Sequence, residues 1–171
     1  KTRVSAFDDT KASALGDYVP AKLSFDDGEF PIAMVQTTDY SGYLLFVFEN
    51  GKAAKVPLSA YATKTNRKKL ARAFNDKAPL VAALFLPEDG EVLLRSDGNR
   101  AVLLHTELAA PKATRDTQGV QVMTLKAKHK VIEATVLTPE QAEELKKYRV
   151  KSIPATGCLA KTLPDVGQMT L

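Results

Sequence analysis

The order of strands and turns repeats along this chain. A glycine turn of the kind that joins two antiparallel strands occurs at Gly51 and again at Gly98, 47 residues later. Arg67 and Arg115 each stand in the polar loop that follows such a pair, and they are 48 residues apart. Several short strands in a unit of about 40 to 50 residues are typical of blade-type folds. The alternative is an ordinary β-barrel in which this spacing is a coincidence.

Apolar and β-branched runs indicate the strands, and Asn-Gly or Asp-Gly pairs indicate tight turns between them. The clearest hairpin joins residues 42–48 to residues 52–61 through Asn50-Gly51, and Pro57 predicts an edge position or a strand end. Further strands are predicted at residues 80–86, 92–95, 100–105, 120–125 and 131–136. Nearer the N-terminus, we expect the end of a strand at residues 2–7 and a hairpin around Asp26-Asp27-Gly28.

One short helix is predicted near the C-terminus. Thr138 is a good N-cap, Pro139 suits the first helical position, and Gln141 completes a capping box. The 171 residues suffice for a single domain with a buried core. We expect blade-like units at about residues 1–40, 41–86 and 87–136, followed by the helix and an extended tail at 137–171. Since the chain begins with Lys1, we expect it to be a piece of a longer protein.

Positive charge is concentrated in residues 51–72. The whole chain has 24 basic and 20 acidic residues, and without this stretch the acids would be in excess. The stretch contains no acid and seven cations: Lys52, Lys55, Lys64, Arg67, Lys68, Lys69 and Arg72. Cations on loops can neutralise nucleic-acid phosphates without reading bases. We therefore predict phosphate contacts by these seven and, in the second repeat, by Arg100, Lys112 and Arg115. The alternative is a solvated loop without a partner.

Catalytic and metal-binding patterns are missing from the sequence. His105 and His129 fall in different predicted elements, Cys158 is the only cysteine, and no phosphate-binding glycine loop occurs. We expect Cys158 to be a structural thiol. No run approaches the roughly 18 apolar residues of a membrane span. We therefore expect no catalysis, no metal and no membrane contact.

Two segments resemble a known family. Residues 50–61, Asn-Gly-Lys-Ala-Ala-Lys-Val-Pro-Leu-Ser-Ala-Tyr, resemble the recurrent blade motif in the C-terminal domains of the A subunits of bacterial DNA gyrase and topoisomerase IV. Residues 96–100 followed by 114–125 are a second match, with the more specific rhythm Arg-x-x-x-Gly-Val-x-Val-x-x-Leu. The resemblance covers about residues 41–136. The loop at 64–70 looks most like that of gyrase-type A subunits of clostridia-like Firmicutes.

The resemblance implies a β-pinwheel, an all-β fold of propeller-like blades in which each blade lends a strand to its neighbour. Here the blades would be about 47 residues long and partial or reduced in number. The resemblance also implies that the basic rim binds or bends double-stranded DNA. The partners would be the A-subunit core and the B subunit of an ATP-dependent type IIA topoisomerase, in the bacterial cytoplasm at the nucleoid. The family's catalytic tyrosine, ATP and Mg²⁺ belong to other domains, so no cofactor is expected here.

One departure from the family bears on function. The Gln-Arg-Arg-Gly-Gly-Lys-Gly box with which gyrase wraps DNA does not occur in this sequence. A topoisomerase IV-like role therefore fits better, although the choice between the two enzymes stays open. A non-catalytic β-propeller that binds proteins is the main alternative, and it would have a rim of mixed charge. An RNA-binding barrel would need exposed aromatic side chains, whereas Tyr43, Phe46 and Phe48 are expected in the core.

Overall fold

A computed structural model of the chain describes residues 1–65 and 69–160. The described residues form two antiparallel sheets of four strands each. The strands are β1 (Tyr43–Phe48), β2 (Lys52–Pro57), β3 (Leu80–Leu86), β4 (Glu91–Ser96), β5 (Arg100–His105), β6 (Val120–Gln121), β7 (Val131–Val136) and β8 (Cys158–Leu159). The first sheet has the order β3-β1-β2-β6, and the second has the order β7-β4-β5-β8.

Each sheet is built on one of the predicted hairpins. β1 and β2 pair from Tyr43 opposite Pro57 to Val47 opposite Ala53, and β4 pairs with β5 in the same way. Gly51 takes the left-handed conformation that the first turn requires, with φ of 80°. In the second turn the left-handed residue is Asn99 rather than the neighbouring glycine. Pro57 ends β2, as predicted.

The outermost strand of each sheet comes from a later part of the chain. β6 follows β5 in the chain but pairs with β2, and β8 returns to pair with β5. Gly119 and Gly157 precede these strands, both with positive φ. A Cβ atom on Gly119 would lie 1.9 Å from the carbonyl oxygen of Ala53, and one on Gly157 would lie 2.5 Å from that of Ala101. Only glycine therefore allows the arriving chain to approach the sheet so closely.

The core has one shared part and two outer parts. Side chains alternate along β1, so that Leu45 and Val47 face a cluster that joins the two sheets, where they meet Val92 and Leu94 of β4. On the outer face of the first sheet, Phe46 and Phe48 belong to a separate cluster with Phe74 and Tyr61. The outer face of the second sheet packs against Leu137, Ala142, Leu145 and Tyr148. Burial of Phe46 and Phe48 confirms the prediction that these aromatic residues belong to the core.

The predicted C-terminal helix is confirmed. It spans Pro139–Glu144, and Thr138 forms the predicted capping box with Gln141. The Gln141 N–H donates to the Thr138 hydroxyl at 3.3 Å, and the Thr138 N–H donates to the Gln141 side-chain oxygen at 3.0 Å. A second helix, which the sequence did not predict, is the single turn Val19–Lys22.

The hairpin predicted around Gly28 is wrong. The turn itself exists, since the Glu29 N–H donates to the Asp26 carbonyl at 3.0 Å and Gly28 has φ of 81°. No strand flanks it, and residues 1–42 contribute to neither sheet. Pro20 and Pro31 interrupt the two apolar runs, and a proline lacks the backbone donor that a strand ladder needs.

Two other strand predictions also need correction. Residues 2–7 contain a 3-10 turn at Val4–Ala6 rather than the end of a strand. The strand predicted at 120–125 stops after Gln121, because the N–H groups of Val122 and Met123 both turn to the Gly51 carbonyl. Of the predicted tail, only residues up to Ala160 lie within the described part of the chain.

Candidate nucleic-acid interface

Two basic segments that are far apart in the sequence meet beside the first sheet. The first is the basic loop, residues 62–72, which follows a 3-10 turn at the end of β2. The second is the edge loop, residues 112–119, which leaves and rejoins the open side of β2. It starts where the Lys112 N–H donates to the Lys55 carbonyl at 2.8 Å, and it ends at Gly119 against Ala53. The strand exchange therefore brings the second repeat's cations to the first repeat.

Side chains fasten the edge loop to the 3-10 turn that precedes the basic loop and to the end of the basic loop. The Arg115 guanidinium donates to the Ala60 carbonyl at 3.2 Å and lies 5.6 Å from the centre of the Tyr61 ring. At the other end, Arg72 lies 3.8 Å from the Asp116 carboxylate. Three ties of different kinds thus hold the two loops together.

Tyr61 is the buried anchor of this junction. Its hydroxyl donates to the Ala73 carbonyl at 2.6 Å. Burial raises the pKa of Tyr61 to about 12, against the lowering effect of the nearby Arg115 charge. The phenol therefore stays neutral and keeps its hydrogen bond under all ordinary conditions.

Five of the predicted cations lie on this surface, which we call the basic surface: Lys52, Lys64, Arg72, Lys112 and Arg115. Lys52 donates to the Gln118 side chain of the edge loop at 3.0 Å, so the start of β2 belongs to the surface. Arg72 has a side chain that is 83% exposed, and Lys64 is also exposed. Asp116 is the acid within the edge loop, and Asn75 holds it through a hydrogen bond of 2.8 Å. Cations exceed acids here, as binding to a polyanion requires.

Lys55 is a different case, because the structure buries it. Its side chain is 2% exposed, pairs with Asp89, donates to the Thr106 carbonyl at 3.1 Å and faces the Tyr43 ring. Burial alone would raise the pKa of Asp89, but hydrogen bonds from Lys55 and Thr106 outweigh it and lower that pKa. In this conformation Lys55 cannot reach a phosphate, so we leave it out of the basic surface.

The remaining predicted cations are not part of the basic surface. Lys69 forms ion pairs with Asp26 at 2.7 Å and Glu29 at 3.2 Å, and hydrogen bonds to these carboxylates raise its pKa. Arg100 lies in the second sheet and donates to the Gly157 carbonyl at 2.6 Å. The predictions for Arg67 and Lys68 fall outside the described residues.

A second cationic run was missed by the sequence reasoning. Its signal was the segment 146–151, Lys-Lys-Tyr-Arg-Val-Lys, next to the predicted helix. The Val150 N–H donates to the Leu103 carbonyl, just as Lys112 donates to Lys55 in the first sheet. Acids neutralise much of this run, since Arg149 pairs with Glu91 at 2.8 Å and Lys146 pairs with Glu143 at 2.6 Å.

In residues 1–65 and 69–160, no cluster of His, Cys, Asp and Glu side chains could hold a metal ion. No helix in the same residues is long and apolar enough to cross a membrane. Cys158 is exposed in β8, and its sulfur lies 3.8 Å from the Lys147 carbonyl oxygen.

Comparison with known proteins gives matches of structure but not of sequence. No protein-family model matches the chain, and no curated protein sequence matches it. The C-terminal domain of DNA topoisomerase IV is similar with a TM-score of 0.60 and 22% identity, over 75% of this chain and 40% of that one. The DNA gyrase A C-terminal domain has a TM-score of 0.54 and 19% identity, over 72% and 45% of the two chains. The E. coli ParC C-terminal domain has a TM-score of 0.62 and 14% identity, over 88% and 68%.

These similarities concern the fold. The matches cover 40% and 45% of the first two domains, so the chain spans only part of their length. The two four-stranded antiparallel sheets of the described residues match the fold of all three. The all-β prediction is confirmed, and the chain folds as a β-pinwheel whose described residues form two four-stranded sheets.

Proposed function

We propose that the basic surface binds the phosphate backbone of double-stranded DNA. The observation that carries this proposal is the meeting of the basic loop and the edge loop at one side of the first sheet. Duplex DNA presents about one negative charge per 1.7 Å of its axis, so clustered cations release many counterions when they bind it. Lysine and arginine contacts of this kind carry no base information, and binding is therefore expected to be independent of sequence.

We further propose that the chain is the C-terminal accessory domain of a type IIA topoisomerase A subunit, with blade units at about residues 41–86 and 87–136. The similar folds and the motifs at residues 50–61 and 114–125 support this. Its role would be to bind or bend a duplex beside the A-subunit core and the B subunit, with ATP and Mg²⁺ used by those other parts. The parent would act at the nucleoid in the cytoplasm of a bacterium, related to clostridia-like Firmicutes. Without a gyrase box, a topoisomerase IV-like activity fits better than DNA wrapping.

The test is duplex affinity by fluorescence anisotropy over a range of salt concentrations. Five phosphate contacts predict a slope of about −4.5 for log K against log salt. A variant with Lys52→Gln, Lys64→Gln and Lys112→Gln keeps the ties of Arg115 and Arg72, and its slope should be shallower by about 2.7. Two duplexes of unrelated sequence should bind equally well.

The matched control removes the same number of positive charges from another part of the protein. Lys126, Lys128 and Lys151 are exposed and lie outside the two loops, so the triple glutamine variant at these positions should keep nearly the wild-type slope. Equal losses in the two triple variants would contradict a localised interface. A flat salt response of the wild-type protein would favour the other class of function, a β-propeller that binds proteins.

A further inference from the structure

The N-terminal residues 1–42 lie against the basic loop, although they belong to neither sheet. The Lys1 ammonium donates to the Thr63 hydroxyl at 2.8 Å. Further along the loop, Lys69 pairs with Asp26 and Glu29. Between these contacts, the two segments line a cleft of about 880 Å³ with apolar side chains from both sides: Phe25, Phe30 and Ile32 from the N-terminal segment, and Leu70 and Phe74 from the basic loop and the residues after it.

Charge distinguishes the two segments. Residues 1–42 contain seven acids and four cations, whereas the basic loop contains five cations and no acid. The acids that reach the loop lie in a tight turn, residues 26–29, which we call the acidic turn. The Asp26 N–H donates to the Glu29 carboxylate at 2.6 Å, and this bond directs that carboxylate toward Lys69. The turn is therefore shaped to present two carboxylates to one ammonium.

The carboxylate oxygens of Asp26 and Glu29 lie 2.7 and 3.2 Å from the Lys69 nitrogen, where phosphate oxygens would lie if Lys69 bound DNA. We propose that the acidic turn competes with DNA for Lys69 and is displaced when a duplex binds. The inference rests on the proposed function, because Lys69 lies in the basic loop, which also carries Lys64 and Arg72 of the basic surface. Lys69 then contributes little to the affinity of the wild-type protein, since each new phosphate contact costs two existing ones.

The competition is weak enough to be reversed by DNA. All three side chains are about half exposed or more, and exposed ion pairs contribute little in water. Removing the competitor should therefore raise DNA affinity by about two- to fivefold. It should also make the salt slope steeper by about 0.9, because one more cation becomes available to phosphate.

The first experiment measures duplex affinity for the Asp26→Asn/Glu29→Gln variant. Both replacements keep a side-chain oxygen, so the turn can retain its hydrogen bond. The matched control is Asp9→Asn/Asp27→Asn, which changes net charge equally; among the described residues neither acid is paired with the basic loop. The proposal expects a gain for the first variant and little change for the control. An equal gain in both would show a general charge effect and overturn the proposal.

The second experiment is a double-mutant cycle with Lys69→Gln. In the wild-type background this change should alter affinity by less than about twofold. In the Asp26→Asn/Glu29→Gln background it should remove the whole gain. Equal effects in the two backgrounds would overturn the competition. Normal salt-dependent DNA binding without coupling would refute this inference alone, whereas a lack of salt-dependent binding in all proteins would refute the proposed function as well.

A third measurement observes the acidic turn directly. Addition of a duplex should accelerate hydrogen exchange at the Asp26 and Glu29 amides, which hold the turn in the free protein. The amide of Leu45 in β1 serves as an internal reference, because its side chain is fully buried in the shared core. Unchanged or slower exchange in the turn at saturating DNA would contradict displacement.

Discussion

The edges of the two sheets have the same backbone and different surfaces. In each, a loop begins with a hydrogen bond to the fourth residue of a central strand and ends at a left-handed glycine packed on the second. Beside the first sheet, that loop carries Lys112 and Arg115 and meets the basic loop. Beside the second sheet, Glu91 and Glu143 neutralise the adjoining cations. Backbone hydrogen bonds thus set the position of each edge loop. The charges of the side chains decide whether that loop attracts a polyanion.

The segments that pack on the outer faces of the two sheets also differ. Phe46 stacks on Phe74, with ring centroids 5.5 Å apart, so the chain that carries the basic loop also closes the first sheet. The second sheet is closed instead by the helix Pro139–Glu144 and by Tyr148. The described cations of the basic loop therefore stand on an exposed loop, whereas Lys146 and Arg149 follow a packed helix and pair with its Glu143.

The largest expected effect tests the close packing of a left-handed glycine on a central strand, a feature that both sheets share. Gly119→Ala should lower the free energy of unfolding by about 3 kcal/mol, because a Cβ atom would meet the Ala53 carbonyl and left-handed backbone is strained for alanine. Urea unfolding followed by circular dichroism measures this. Gly90→Ala is the control, since its Cβ would have no neighbour within 4 Å. If both variants lost equal stability, close approach at Gly119 would not be the cause.

A smaller effect on stability is expected at Lys55. The second repeat has the apolar Leu103 at the same position, so only the first repeat has a buried charge there. Lys55→Met should cost about 1 to 2 kcal/mol, because Asp89 would lose its partner while only about a third of its side chain is exposed. The double variant Lys55→Met/Asp89→Asn should regain most of this loss. Thermal unfolding of the two variants measures the difference. A double variant no more stable than Lys55→Met would argue against a coupled pair.

The same pair should make stability depend on pH. The pKa of Asp89 is lower in the folded protein than in the unfolded chain, so the unfolded chain binds its proton first as the pH falls. Its contribution is therefore complete above about pH 4 and disappears as the pH falls through the lowered folded value. Urea unfolding of wild type and Asp89→Asn between pH 7 and pH 2 should show two curves that converge at the acidic end. Parallel curves would contradict the assignment.

The smallest effect is expected when an acid beside the second sheet is removed, which makes the charge of that edge more like that of the first sheet. Glu143→Gln removes a carboxylate that pairs with Lys146 and lies 3.9 Å from Arg149. Duplex affinity should rise by about twofold, because such exposed pairs are weak. Glu144→Gln on the same helix is the control, with the same charge change and no ion pair among the described residues. Anisotropy titrations at low salt would detect the difference, and equal affinities of the two variants would remove acid pairing as the explanation.

Local sequence signals predicted much of the fold because their physical causes are local. The capping box of Thr138 and Gln141 and the left-handed turn at Gly51 depend only on residues a few positions apart. Phe46 and Phe48 were expected in the core from their place in an apolar strand. The hairpin around Gly28 failed because a strand needs a partner, and no strand lies beside these proline-interrupted runs.

The candidate site was predictable in its charge but not in its membership. The sequence by itself determined the repeat, the hairpins and the concentration of cations at residues 51–72, since composition and periodicity are properties of neighbouring residues. Only the tertiary structure decided which cations share a surface. It buried Lys55 against Asp89, paired Lys69 with the acidic turn and brought Arg115 to Tyr61, because long-range strand exchange sets which side chains meet. Burial removes Lys55 from the surface and two close carboxylates occupy Lys69, whereas Arg72 stays 83% exposed beside Asp116.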